Sequence, residues 1–136
     1  MTRHKITNHM MKNDAFSQWL GIEVVEAKEG FCQLSMTVRS EMTNGFSIAH
    51  GGITYSLADS ALAFASNNYG VQSVSIETSI SHTHKVAEGD VLVATCVEKS
   101  QSHKIGIYEV EVKNQEGATV ALFKGTVYKS SKTWNV

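Results

Sequence analysis

The chain has 136 residues, of which 42% are hydrophobic, and its 12 basic residues nearly balance its 13 acidic ones for a net charge of -1. This length predicts one domain around one core. The balanced charge gives no reason to expect a nucleic-acid or membrane-surface partner, so we expect neither nucleic acid nor membrane among its partners. Because the N-terminus lacks the apolar core of a secretory signal and no apolar run approaches the roughly 18 residues that span a bilayer, we expect a cytoplasmic protein.

The polar N-terminal segment, residues 1–12, predicts a loose arm or a short capping turn. We therefore place a single domain over residues 13–136. It begins with a short helix, "AFSQWL", which Asn13 or Asp14 can cap through a side-chain oxygen.

Residues 22–40 alternate between apolar and polar side chains around a turn at Glu29 and Gly30, which predicts two paired strands. Each of the two cysteines, Cys32 and Cys96, lies alone in an alternating segment of this kind. We interpret them as buried thiols rather than as a disulfide or as metal ligands.

The period of the pattern changes after Gly52. Apolar residues then recur at the spacing of one helix face, which predicts a helix of about four turns that ends at "NNYG". The rest of the chain contains four strand-like segments joined by short, turn-rich connections, and these predict a meander. The elements define an α+β fold in which one antiparallel sheet wraps around one long central helix, because the helix must bury its apolar stripe.

Two features of the predicted helix indicate chemistry. A helix that starts near Gly51 presents unpaired amide groups and partial positive charge, and glycine lets a ligand approach them closely. Asp59 lies among alanines, where a buried carboxylate needs either partners or a functional reason. The structural alternatives are a tight turn at Gly51 and a hydrogen bond from Asp59 to Tyr55 or Ser56 one turn earlier.

The spacing of Gly51 and Asp59 limits how they cooperate. Eight residues of α-helix span about 12 Å, which is too far for both groups to touch one reacting carbonyl. If they act together, the carboxylate comes from a second copy of the helix across a two-fold axis. Catalysis therefore implies a homodimer with two equivalent composite sites.

The segment "NGFSIAHGGITYSLAD", residues 44–59, resembles the active-site segment of hotdog-fold acyl-CoA thioesterases: Asn, a short loop, His-Gly-Gly, and an Asp seven residues beyond the second Gly. The later run "HKIGIYEVEVKNQEGATVALFKGTVYK" is similar to the closing hairpin of the thioesterases of bacterial phenylacetate degradation. The likeness covers roughly residues 14–130. It implies a hotdog fold, in which a curved antiparallel sheet surrounds one long helix and sheets join edge to edge into dimers and often tetramers.

The resemblance also implies an activity, the hydrolysis of phenylacetyl-CoA or hydroxyphenylacetyl-CoA to free acid and CoA without a metal or cofactor. Carried over by position, the Gly51 amide polarises the thioester carbonyl and Asp59 of the partner subunit is the base or nucleophile. Asn44 holds the attacking water or the carboxylate, and His50 fixes the loop or supports the thioester. Ser60 matches a hydroxyl position of the phenylacetate branch.

Three further residues are candidates for binding substrate. Ser75 matches a serine that assists the water in some relatives, and Lys85 and Lys104 can serve the CoA phosphates, with a solvated lysine as the alternative for each. The chain departs from the branch at "SISHTHKVAEGD", residues 79–90, where relatives commonly carry an aromatic residue, an Arg and a Pro.

Three other functions stay open. His82 and His84 are two residues apart, so on a strand both would point to one face and suggest a metal-binding module, although no third ligand is evident. A hotdog dehydratase or hydratase relies on a catalytic His in proline-rich surroundings, whereas this chain has no Pro. A non-catalytic acyl-CoA-binding protein has no need of a buried base such as Asp59.

Overall fold

Three α-helices, a 3-10 turn and six strands make up the computed structural model, which describes residues 4–136. In chain order the elements are α1 (Lys5–Lys12), α2 (Ala15–Leu20), β1 (Glu23–Lys28), β2 (Phe31–Thr37), the 3-10 turn (Ser40–Met42), α3 (Gly51–Asn67), β3 (Val71–His82), β4 (Val91–Gln101), β5 (Ile105–Lys113) and β6 (Thr119–Thr133).

The six strands form one antiparallel sheet, and α3 packs across it, most extensively on β4 and β2. The helix buries the predicted apolar stripe, with Leu57, Ala61 and Phe64 fully inaccessible to solvent. The predicted sheet around one central helix is thereby confirmed. No helix within the described residues is long and apolar enough to cross a membrane.

The predicted meander is wrong in one respect. The strand order is β1-β2-β4-β5-β6-β3, so β3 pairs with β6 at an edge of the sheet instead of forming a hairpin with β4. The residues after His82 cross from that edge to β4, which pairs with β2. A short, turn-rich connection does not distinguish this crossover from a hairpin. The pairing depends on where α3 ends, which places β3 at the edge of the sheet beside β6.

The predicted N-terminal arm is also different in the structure, where the described part of residues 1–12 contains α1. This helix begins after His4, whose Nδ1 accepts a hydrogen bond from the Ile6 amide at 3.2 Å. Thr7 is buried and donates a hydrogen bond to Asn68 at the end of α3 at 2.8 Å. Helix α1 is therefore packed against the domain. Only Ile6 and Thr7 of this helix are buried, and the many polar side chains around them favoured the interpretation as a loose arm.

The two cysteines lie opposite each other in the pairing of β2 with β4, and both are free and buried, as predicted. Burial raises the pKa of the Cys32 thiol to about 12 and also raises the pKa of Cys96. A thiol that stays protonated at neutral pH is a poor nucleophile. Neither cysteine is therefore a candidate for catalysis.

Gly125 of β6 lies directly beneath Leu62 of α3, so that a Cβ at this position would collide with a leucine methyl group. We expect Gly125→Ala to lower the free energy of unfolding by about 1–3 kcal/mol through overpacking, measured by urea denaturation. Gly45→Ala is the matched control, since its Cβ would meet nothing within 4 Å. Equal stabilities of the two variants would contradict this close packing of helix on sheet.

Candidate active site

The loop before α3 is folded around Asn44. The side-chain Oδ1 atom of Asn44 accepts hydrogen bonds from the backbone amides of Phe46 at 2.9 Å and Ile48 at 3.4 Å. The backbone amide of Asn44 donates to the Ile48 carbonyl at 2.8 Å. Because Oδ1 folds the loop, only the side-chain amide group is left for a ligand. Among residues 4–136 that group has no hydrogen-bond partner.

Of the first backbone amides of α3, some have hydrogen-bond partners in the part of the chain that the structure describes and one does not. His50 caps the helix, because its Nδ1 accepts from the Gly52 amide at 3.0 Å and its carbonyl accepts from the Ile53 amide at 2.9 Å. The Gly51 amide makes no hydrogen bond within the described chain. His50 therefore fixes the loop to the helix, and Gly51 keeps the one amide of this turn that is available to an oxyanion.

A cavity of about 440 Å³ opens at this end of α3. Its wall includes His82 at the end of β3, whose Nε2 lies 3.2 Å from the position that a Cβ on Gly51 would occupy. Asn44, Gly51 and Lys85 share this cavity, so the structure brings together three of the predicted site residues. The other lining residues are Ile48, Ala49, Thr54, Thr83, His84 and Val86.

Asp59 lies half-buried two turns further along α3. Burial of the carboxyl, and secondarily the negative charge of Asp14, raises its pKa. The structural alternative for Asp59 is wrong, since the Tyr55 hydroxyl bonds to Thr78 at 2.6 Å and Ser56 donates to the Gly52 carbonyl at 2.7 Å. No hydrogen bond or ion pair of the described residues uses the Asp59 carboxylate, which is thus free to accept a proton.

Ser60 belongs to a chain of side-chain hydrogen bonds that sequence reasoning missed. Its Oγ lies 2.8 Å from Ser17 Oγ, and Ser17 donates to Asp14 Oδ2 at 2.6 Å. The only signal in the sequence is the spacing of Asp14 and Ser17, which is that of a helix cap and its third residue. Nothing in that spacing indicates that α2 packs on α3 next to Asp59.

The other two predicted binding residues lie outside the cavity. Ser75 is exposed on β3, the edge strand. Lys104 is exposed between β4 and β5, with its Nζ 5.6 Å from the centre of the Tyr128 ring. Since Tyr128 and His82 lie near opposite ends of the pairing of β3 with β6, Lys104 and the cavity are at opposite ends of the sheet. Within one chain these residues do not form one site.

The metal-binding hypothesis assumed that His82 and His84 share one strand face, and this assumption is wrong. Strand β3 ends at His82, and His84 lies beyond it with its Nδ1 2.7 Å from the Lys85 carbonyl oxygen. Residues 4–136 contain no group of three His, Cys, Asp or Glu side chains that could hold a metal ion.

Comparison with known proteins agrees with this architecture. The sequence profile of the Thioesterase superfamily matches residues 46–121. The chain is 40% identical over 125 residues to a putative esterase of Archaeoglobus fulgidus, which covers 92% of this chain and 81% of that protein. It is 39% identical over 124 residues to the acyl-coenzyme A thioesterase PaaI of Escherichia coli, which covers 91% of this chain and 89% of the enzyme.

A solved structure of the E. coli PaaI protein from the phenylacetic acid degradation operon superposes with a TM-score of 0.91 at 38% identity, covering 93% of this chain and 91% of that one. The curved antiparallel sheet around α3 is therefore a hotdog fold, and a protein with this fold and these relatives is a thioester hydrolase. The chain belongs to the Thioesterase superfamily. The predicted fold and family are confirmed.

Proposed function

We propose that the protein hydrolyses acyl-CoA thioesters to free acid and CoA, and that its substrates carry aryl acyl groups of the phenylacetyl or hydroxyphenylacetyl type. The observation that carries this proposal is the unpaired Gly51 amide, which lies at the start of α3 in a cavity shared with Asn44. The acyl class is supported by the relative whose name includes acyl-coenzyme A thioesterase and by its operon of phenylacetic acid degradation.

The Gly51 amide would polarise the thioester carbonyl. Attack on the carbonyl carbon moves negative charge onto the oxygen, and the fixed amide at the helix start stabilises that charge more than it stabilises the ground state. One such donor typically contributes about 3–4 kcal/mol to transition-state stabilisation. The free amide group of Asn44 lines the same cavity and can hold the attacking water or the carboxylate beside it.

Asp59 would supply the base from the partner subunit, because the eight residues between Gly51 and Asp59 span about 12 Å of one helix. As water attacks, one water proton passes to the Asp59 carboxylate. The tetrahedral intermediate then collapses, the carbon–sulfur bond breaks, and the CoA thiolate takes that proton. In the alternative in which Asp59 is the nucleophile, its carboxylate displaces the CoA thiolate to form an acyl anhydride, and a single turnover in ¹⁸O-water labels the aspartate if water then attacks the aspartyl carbonyl.

The homodimer that this site requires is supported by the edge of the sheet. Strand β3 pairs on one side only, and Val74 and Ile76 on it are 62% and 58% exposed. A twelve-residue edge strand with exposed apolar side chains can pair further, and a second β3 in antiparallel pairing would provide the partner. We propose that two copies join there. Assembly of two dimers into a homotetramer stays a prediction, which light scattering in solution measures.

The same pairing suggests how the remaining residues contribute. An antiparallel arrangement of two β3 strands places the Lys104 end of one sheet beside the cavity end of the other. Lys85 at the cavity and Lys104 of the partner subunit would then both lie near the CoA phosphates, and Ser75 would lie at the boundary between the copies. His50 would act by holding the loop rather than by contacting the thioester.

A thiol-release assay over a panel of aryl and alkyl CoA esters tests the proposal. We expect release from all active esters to give equimolar acid and CoA, with aryl acetyl esters the fastest. Absence of release from every ester, with binding retained, would overturn hydrolysis in favour of an acyl-CoA-binding protein. Hydration of enoyl-CoA esters in a parallel assay would instead favour the hydratase.

A further inference from the structure

Helix α2 is joined to α3 through a buried hydroxyl. Ser17 is 1% exposed and lies between Asp14 and Ser60, with its Oγ 2.6 Å from Asp14 Oδ2 and 2.8 Å from Ser60 Oγ. The second carboxylate oxygen of Asp14 accepts the Ser17 amide at 2.9 Å as the cap of α2. Both oxygens of this carboxylate are therefore engaged by one residue.

The direction of the hydrogen bonds follows from the number of protons. An ionised carboxylate only accepts, so Ser17 donates its single hydroxyl proton to Asp14. Ser17 then has no proton for Ser60 and can only accept, which makes Ser60 the donor of the bond between the two serines. The proton of Ser60 is thus committed to Ser17, and the Ser60 oxygen offers lone pairs alone to any further partner.

We propose that Asp14 is a positioning residue for the hydrolysis: acting through Ser17, it fixes the Ser60 hydroxyl as a pure hydrogen-bond acceptor beside Asp59. This inference rests on the proposed function with Asp59 as base. A water between Ser60 and Asp59 donates one O–H bond to each and directs a lone pair at the thioester carbon. The proton on the Asp59 side is transferred as the new carbon–oxygen bond forms, while Ser60 keeps its own proton and releases none.

Asp14→Asn reverses this polarity with little change in shape. Asn is as good a helix cap as Asp, and its carbonyl oxygen is held by the Ser17 amide. The amide group of the new side chain therefore takes the place of Oδ2 and donates to Ser17 Oγ. The Ser17 proton must then turn to Ser60 and occupy one of its two lone pairs, and the Ser60 proton is freed to compete with the remaining lone pair for the water.

A double-mutant cycle with Ser60→Ala tests the proposal. We expect Asp14→Asn and Ser60→Ala each to lower kcat about tenfold at nearly unchanged KM, because both misplace the attacking water. The double variant should also lose about tenfold rather than about a hundredfold, since the two residues act on the same water. Each kcat is taken from the pH-independent plateau, so that an altered Asp59 pKa does not contribute.

Additive losses in the double variant, or full activity of Asp14→Asn, would overturn the proposal. Ser17→Ala provides an independent test if Asp14→Asn folds poorly, because it breaks the chain while keeping the Asp14 carboxylate, and its effect should likewise vanish in the Ser60→Ala background. Asp59→Asn distinguishes failure of the proposed base from failure of the positioning role of Asp14. High activity of Asp59→Asn would refute the proposed base, whereas an inactive Asp59→Asn with an additive cycle refutes the positioning role alone.

Discussion

Replacing Asp59 by Asn is expected to lower kcat for acyl-CoA hydrolysis by about 10³-fold, the middle of the range for loss of a general base. Asn has nearly the shape of Asp but cannot accept the proton that the attacking water loses. KM should change little, because the carboxylate acts on the water rather than on the bound ester. Steady-state thiol release measures both constants, and near-wild-type turnover would refute a catalytic role for this carboxylate.

The same substitution is expected to stabilise the fold at neutral pH. Burial raises the pKa of Asp59 above its unfolded value, so the native state holds this proton more tightly than the unfolded chain does. The resulting stability is complete below the unfolded pKa and is lost as pH rises through the folded pKa. Above the folded pKa the ionised, half-buried carboxylate therefore destabilises the native state, and Asp59→Asn should unfold at a higher temperature or urea concentration than the wild type. A loss of stability would mean that the carboxylate has stabilising partners.

The raised pKa of Asp59 also predicts the acid limb of the rate profile. A base acts only when ionised, so kcat/KM should fall as pH drops through the pKa of Asp59 in the free enzyme. Because the charge of Asp14 is the second cause of the raised pKa, Asp14→Asn should move this limb to lower pH. A limb that does not move would show that the titrating group is not Asp59.

Gly51→Ala is the substitution with the second largest expected effect, a loss of about 10²-fold in kcat. The variant keeps its amide N–H, but the added methyl lies in the cavity 3.2 Å from His82 Nε2 and crowds the approach of the carbonyl oxygen. Alanine also favours the helix over glycine, so the fold should be no less stable. Thiol release and thermal unfolding of the same preparation separate the loss of activity from any loss of structure.

Gly52→Ala is the matched control for Gly51→Ala. Its methyl also meets an imidazole nitrogen at 3.2 Å, that of His50, but its amide is already bonded to that ring. We expect Gly52→Ala to retain most of the wild-type kcat. Equal losses in the two variants would indicate that a methyl group disturbs this helix turn in general, and Gly51 would lose its assigned role as the oxyanion donor.

The parts of the fold that follow from local periodicity were predictable from the sequence. The apolar spacing after Gly52 defines α3, and alternation around Gly30 defines β1 and β2. The position of β3 was not predictable, because its pairing with β6 depends on long-range packing. The end of α3 places the chain at the far edge of the sheet, and no local pattern indicates this. Helix α1 was missed since its burial depends on the Thr7 contact with Asn68, which no local pattern indicates.

Only those parts of the candidate site that lie close together in the sequence were predicted. Asn44, Gly51 and Asp59 fall within one short segment, and the spacing of Gly51 and Asp59 on one helix predicts a second copy if the two act on one substrate. The hydrogen bond of Ser17 with Ser60 and the placement of His82 beside Gly51 bring together residues that are far apart in the sequence. They depend on how α2 and β3 pack against α3, and only the folded chain specifies this packing.

Mixing two inactive variants tests the composite site most directly. Asn44→Ala and Asp59→Ala are each expected to be inactive, and after subunit exchange half of the dimers contain one copy of each. Every mixed dimer has one site with both residues intact, so the mixture should recover about 25% of wild-type thiol release. No recovery, in a mixture whose mixed dimers are detected by native mass spectrometry, would contradict the assignment of Asn44 and Asp59 to one site from different copies.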